Sequence, residues 1–163
     1  MSILREMEAC IIMCKQIKKL LPYTYSVVII LVSPLFRLSY ISWRDAPLVD
    51  YVKEFSNIVP LRGILDAITN AMTTEKVWYL RPLVWNLLIM VPVGLFYGYF
   101  MIGNDVKERS VVCVRYFVLF GFLYCIRVLM KLGSFDIDDI LLNLVGVYFG
   151  MILVCHWKEK NKV

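Results

Sequence analysis

Ser134-Phe-Asp-Ile-Asp-Asp-Ile-Leu-Leu-Asn-Leu-Val-Gly-Val-Tyr-Phe-Gly150 sets three carboxylates at the mouth of an otherwise apolar run. The run continues to Trp157, about 20 residues, which as a helix crosses a hydrocarbon core of about 30 Å. At about 100° per residue, Asp136, Asp139 and Asn143 share one narrow sector, with Gly146 and Gly150 beside them and Asp138 pointing the other way. Gly-x-x-x-Gly spacing lets a second helix approach closely. Ionisable groups at membrane depth are functional-site candidates by default. The polar face of this helix is therefore where a ligand would be sought.

The rest of the chain fits a membrane setting. It is 60% hydrophobic and 14% aromatic, with a mean hydropathy of +0.69, whereas soluble domains are about 45–50% apolar. Three further apolar runs, at about residues 20–36, 83–102 and 111–130, join 137–157. They predict an all-α membrane protein: a single bundle of four transmembrane helices over 20–163, preceded by an amphipathic segment over 1–19.

A net charge of +5 raises the question of nucleic acid, but the charges lie beside helix ends and read as topology. Arg5, Lys15, Lys18 and Lys19 precede the first run, Lys107 and Arg109 lie between the second and third, and Lys158, Lys160 and Lys162 close the chain. These short basic segments predict both termini on the cytoplasmic side, with lipids rather than nucleic acid as the surroundings. The five cysteines form no Cys-x-x-Cys pair and read as small hydrophobes. No small-x-small cleavage site follows Lys18-Lys19, so the first run is expected to remain as an anchor.

Along the chain, Ile3, Met7, Cys10, Ile11, Cys14, Ile17 and Leu21 form one side of an amphipathic helix. Two readings stand for it: a helix lying on the membrane surface, or an extension of the first span. In the long first loop, Pro47 and Pro60 each open a short helical pattern, giving two expected surface helices. The second span carries Asn86 near its start, then Pro92, Gly94 and Gly98. Proline predicts a kink whose freed carbonyl needs a partner from a neighbouring helix. Gly94 and Gly98 repeat the spacing of Gly146 and Gly150, so the second and fourth spans are expected neighbours. In the third span Arg115 is placed to snorkel, and Arg127 comes level with Asp138 and Asp139, with Asp138 expected to be free to answer Arg127 or water.

The expected topology thus gathers Asn86, Arg127, Asp136, Asp139 and Asn143 at the outer leaflet. Architectural readings compete with a ligand site: Asp136 and Asp139 as caps of the fourth span, Asn86 bonded to Asn143, Arg127 as a counter-ion. Nothing in the pattern implies a cofactor. His156, the single histidine, gives no metal site, and no catalytic constellation emerges.

Three pieces then resemble, in order, the VanZ-like integral membrane proteins associated with glycopeptide (teicoplanin) resistance in bacteria. They are Asn57-Ile-Val-Pro60, Asn86-Leu-Leu-Ile-Met-Val-Pro-Val-Gly94 and Asp136-Ile-Asp-Asp-Ile-Leu-Leu-Asn-Leu-Val-Gly146. The sequence departs from the pattern where the family usually shows Glu-x-x-Gln late in the third span and this chain has Tyr124 and Arg127. The resemblance implies a polytopic bacterial membrane protein. Its expected role is non-enzymatic: engaging a lipid-linked cell-wall precursor or the lipoglycopeptide at the outer leaflet. An envelope-lipid enzyme and an accessory subunit of a transporter or sensor are the alternatives.

Overall fold

The computed structural model describes residues 2–32, 43, 45–101 and 106–161. Among these are seven α-helices: α1 (Ser2–Val32), α2 (Leu48–Glu54), α3 (Arg62–Thr74), α4 (Arg81–Ile89), α5 (Val91–Phe100), α6 (Val106–Leu129) and α7 (Ile137–Asn161). A 3-10 turn, Val77–Leu80, leads into α4. Two short strands, β1 (Ser56–Asn57) and β2 (Phe135–Asp136), pair in parallel.

Three helical stretches are long and apolar enough to cross a membrane: Val77–Phe100, Lys107–Leu129 and Ile137–Asn161. The apolar part of α1, Leu20–Leu31, is shorter, and positions 33–36 of the expected first span lie outside the described residues. Helix α1 runs from Ser2 through Pro22 to Val32, so no break separates the expected amphipathic segment from the apolar one. Many large apolar side chains point away from the bundle, among them Trp85, Leu88, Val114, Val118 and Phe122. A monomer in water rarely shows so much apolar surface, and lipid is its natural solvent.

Helix α7 is the hub, packing along α5 and also against α4 and α6. The contact with α5 is backbone to backbone. A Cβ on Gly94 would fall on the Val147 carbonyl and 2.9 Å from the Gly150 Cα; one on Gly150 would meet the Val91 carbonyl and the Leu95 nitrogen. On either side, Gly146 lies against the Leu87 carbonyl and Gly98 against Val154 and Met151.

The α4–α5 break follows from Pro92, which has no amide hydrogen. The amides of Val93 and Gly94 turn to the Met90 carbonyl at 3.2 and 3.4 Å. The Ile89 carbonyl accepts instead from the Tyr25 hydroxyl of α1 at 3.0 Å. A polar gap opened by one proline is thus closed from a neighbouring helix. Around it, Ile30, Met90, Tyr97, Tyr116, Phe120, Ile140 and Met151 form the buried core.

The two loop helices differ. In α2, Tyr51 is fully buried and sits with Val128 over the α6–α7 turn, its hydroxyl donating to the Gly133 carbonyl at 3.2 Å. Helix α3 has no buried residue, and Leu65, Ile68 and Met72 stay exposed. Overpacking at backbone contacts costs about 1–3 kcal/mol and sometimes more. We therefore expect Gly94→Ala and Gly150→Ala each to destabilise the protein by at least that amount when unfolding is followed in detergent micelles. Gly121→Ala, in α6 with nothing among the described residues within 4 Å of the added carbon, should be neutral or stabilising by about 0.5–1 kcal/mol.

Candidate functional site

At the end of the bundle where α4 and α7 begin and α6 ends, polar side chains meet on the first two turns of α7. Asp136 occupies the N-cap position of α7. Its Oδ1 accepts from the Asp138 amide at 2.9 Å and from Asn57 Nδ2 at 3.1 Å. Asn57 Oδ1 in turn accepts from the Val59 amide at 3.3 Å, and the β1–β2 pair fixes this register by placing Asn57 opposite Asp136. Burial pushes the Asp136 carboxyl above the usual carboxylate range. The hydrogen bonds from Asp138 and Asn57 act against it, as does the charge of Arg127.

Asp138 corrects a sequence expectation. It does not point to water or answer Arg127; it is 2% exposed and accepts three backbone amides from the start of α3. Leu61 donates to Oδ1 at 2.5 Å, Gly63 to Oδ2 at 2.7 Å and Ile64 to Oδ2 at 3.3 Å. The face of α7 that looks free in sequence is covered because the long loop folds back on it. A carboxylate at a helix N-terminus satisfies orphan amides and meets the positive end of the helix dipole. It also holds Leu61 at φ 68, a left-handed conformation that costs a leucine roughly 1–2 kcal/mol.

The Asn86–Asn143 bond of the architectural reading is not formed, and two other bonds stand in its place. Asn86 Nδ2 donates to Asp139 Oδ1, joining α4 to α7. Asn143 Nδ2 donates to the Tyr124 hydroxyl at 3.1 Å, joining α7 to α6. Arg127, 4% exposed, lays its guanidinium over the Tyr124 ring, 4.7 Å from the centroid. It also lies against Gly133, where an added Cβ would be 3.0 Å from its Cζ. Tyr124 and Arg127, the two departures from the Glu-x-x-Gln pattern, therefore act as one stacked unit.

All five residues singled out in the sequence, Asn86, Arg127, Asp136, Asp139 and Asn143, lie in this cluster or beside it. Pro92, Gly94, Gly98, Gly146 and Gly150 lie deeper and set the helix contact. Three more residues belong to the cluster: Asn57, Asp138 and Tyr124. Asn57 stood in a quoted motif and Tyr124 stood one turn before Arg127, but the partners of Asp138 lie more than seventy residues away. Among the described residues, Arg127 Nε and Asn143 Oδ1 are buried with no hydrogen-bond partner, so the cluster keeps a donor and an acceptor in reserve. No group of three or more His, Cys, Asp or Glu among the described residues could hold a metal ion.

Comparison with models of protein families matches residues 23–158 to VanZ/LLP1. The chain belongs to the VanZ/LLP1 family. No curated protein and no solved structure matches it. The matched region holds the whole cluster and both glycine pairs, so the site and the contact that frames it lie within the VanZ/LLP1 unit.

Removing the Asp138 acceptor leaves three amides without their partner, and an unmet buried group costs about 1–3 kcal/mol. Asp138→Ala should destabilise by that order and speed amide exchange at Leu61, Gly63 and Ile64, read by hydrogen–deuterium exchange in nanodiscs. Asp136→Ala should cost about 1 kcal/mol as a lost N-cap, and Asp136→Asn, which keeps the capping oxygen, only a few tenths.

Proposed function

We propose that the chain is a four-span VanZ-type protein of the bacterial membrane that modulates the action of glycopeptide antibiotics at the outer leaflet, with both termini inside. In this reading it acts by binding, through the cluster on the first turns of α7, either a lipid-linked cell-wall precursor or the lipid-anchored antibiotic. The observation that carries the reading is the reserve of buried polar groups. Arg127 Nε offers a donor and Asn143 Oδ1 an acceptor, beside carboxylates whose oxygens already receive protein donors. Each unmet buried polar atom costs stability, and a ligand that supplied the missing partners would recover it.

Membership of the VanZ/LLP1 family and the apolar helices support the membrane setting and the link to glycopeptide resistance. The basic residues Lys107, Arg109, Lys158 and Lys160, all at the opposite end of the bundle from the cluster, favour the orientation with the cluster outside. The exposed apolar edge of α3, joined to the span that begins at Val77, then lies in the headgroup region and borders the way in from the lipid.

The test is teicoplanin susceptibility in a host expressing, at equal membrane levels, wild type or the Asp139→Asn, Asn143→Leu double variant. Wild type should raise the inhibitory concentration above empty vector and the double variant should return it to that of the vector. Wild type equal to vector, or a double variant as protective as wild type, would contradict the proposal.

A further inference from the structure

The opposite end of the bundle holds a second feature, on residues that the cluster does not use. Between α1, the end of α5 and the start of α6 lies a pocket of about 440 Å³. Tyr23 and Tyr97 wall it, their ring centroids 6.1 Å apart and edge to face, and Tyr23 stacks in turn on Tyr116 at 5.3 Å. Val112 adds an apolar side, while among the described residues Lys107, Glu108 and Arg115 line the same space, two cations to one anion. On α6 these residues recur at one-turn intervals, so a single helix face carries the apolar wall and both cations. Lys107 and Arg115 stand about 12 Å apart along the axis.

Depth gives the pocket its chemistry. At the same end, Tyr99 and Trp157 pair at 6.3 Å, and Lys158 Nζ donates to the carbonyls of Gly98 and Tyr99 at 2.8 and 3.1 Å. Aromatic residues and lysines of this kind mark the boundary between hydrocarbon and water. Arg115 thus lines the open pocket as well as taking the snorkelling position that the sequence suggests. The volume is that of a small-molecule site rather than of a single ion. Cationic pockets between membrane helices select lipid headgroups that carry phosphate and net negative charge.

We propose that this pocket binds the phosphate-bearing headgroup of an anionic phospholipid, with Arg115 and Lys107 as its counter-charges and the Tyr23 and Tyr97 rings as the wall against its glycerol backbone. The site is independent of the proposed outer-leaflet function. It gives the chain a lipid-specific anchor on the side away from the cluster.

Native mass spectrometry of the full chain, released from detergent with phosphatidylglycerol or phosphatidylcholine of identical acyl chains, tests the proposal. Wild type should retain phosphatidylglycerol about tenfold more strongly than phosphatidylcholine. Arg115→Gln and Lys107→Gln should each remove most of that preference, as expected for the loss of a charge-assisted contact. Arg115→Lys, which keeps the charge, should preserve part of it, and Lys160→Gln, away from the pocket, all of it. Displacement of the lipid by millimolar inorganic phosphate would support the phosphate site while assigning it to a soluble ligand. Equal retention of the two lipids by wild type, or an undiminished preference in Arg115→Gln, would overturn it.

Discussion

The approach of α5 to α7 at Gly94 and Gly150 is the constraint on which the rest of this protein depends. Two helices whose backbones touch cannot slide, because each glycine sits where any side chain would strike the other helix's main chain. That contact fixes the height of α4 against α7, since Gly146 abuts the Leu87 carbonyl. Leu87 is the neighbour of Asn86, so the same register brings Asn86 to Asp139. Pro92 adds the bend between the two halves of the span, and Tyr25 closes the polar gap that the bend opens. Little of this draws on a hydrophobic driving force, which is weak between helices already in lipid; close packing and satisfied polar groups replace it.

Above the glycine contact, electrostatics takes over. Three aspartates within four residues would repel one another in an apolar setting, yet each finds its own donors. Asp136 caps α7 and binds Asn57, Asp138 gathers the first amides of α3, and Asp139 takes Asn86. The long loop is therefore part of the site rather than a cover over it. Its strand β1, its helix α2 through Tyr51 and its helix α3 through Asp138 all fasten to the start of α7 or the turn before it. Arg127, stacked on Tyr124 and pressed against Gly133, supplies the one positive charge among the residues of the cluster.

The sequence made some of this legible and hid the rest, for physical reasons. The glycine spacing follows from helical periodicity alone, so the partner helix could be read, whereas Asp136 lies in β2 before α7 begins and takes its place from the pairing with Asn57. Periodicity says nothing about which donor a carboxylate meets. The pairs Asp138–Gly63 and Asn86–Asp139 join residues far apart in the chain, and only the folded register selects them. Helices α2 and α3 show the same limit: both carry apolar residues at helical spacing, yet Tyr51 is buried in the bundle while Leu65 and Met72 stay exposed. The difference arises from the α6–α7 turn, which offers Tyr51 a carbonyl and an apolar seat.

The most direct test of a cluster assembled by this register is a double-mutant cycle on Asn86→Ala and Asp139→Ala, with unfolding free energies measured in bicelles. Hydrogen bonds between membrane helices average about 0.6 kcal/mol and reach about 1.7, and a charged partner strengthens them. The two positions should couple by about 1 kcal/mol. Additivity within about 0.3 kcal/mol, the behaviour of residues that do not touch, would contradict it.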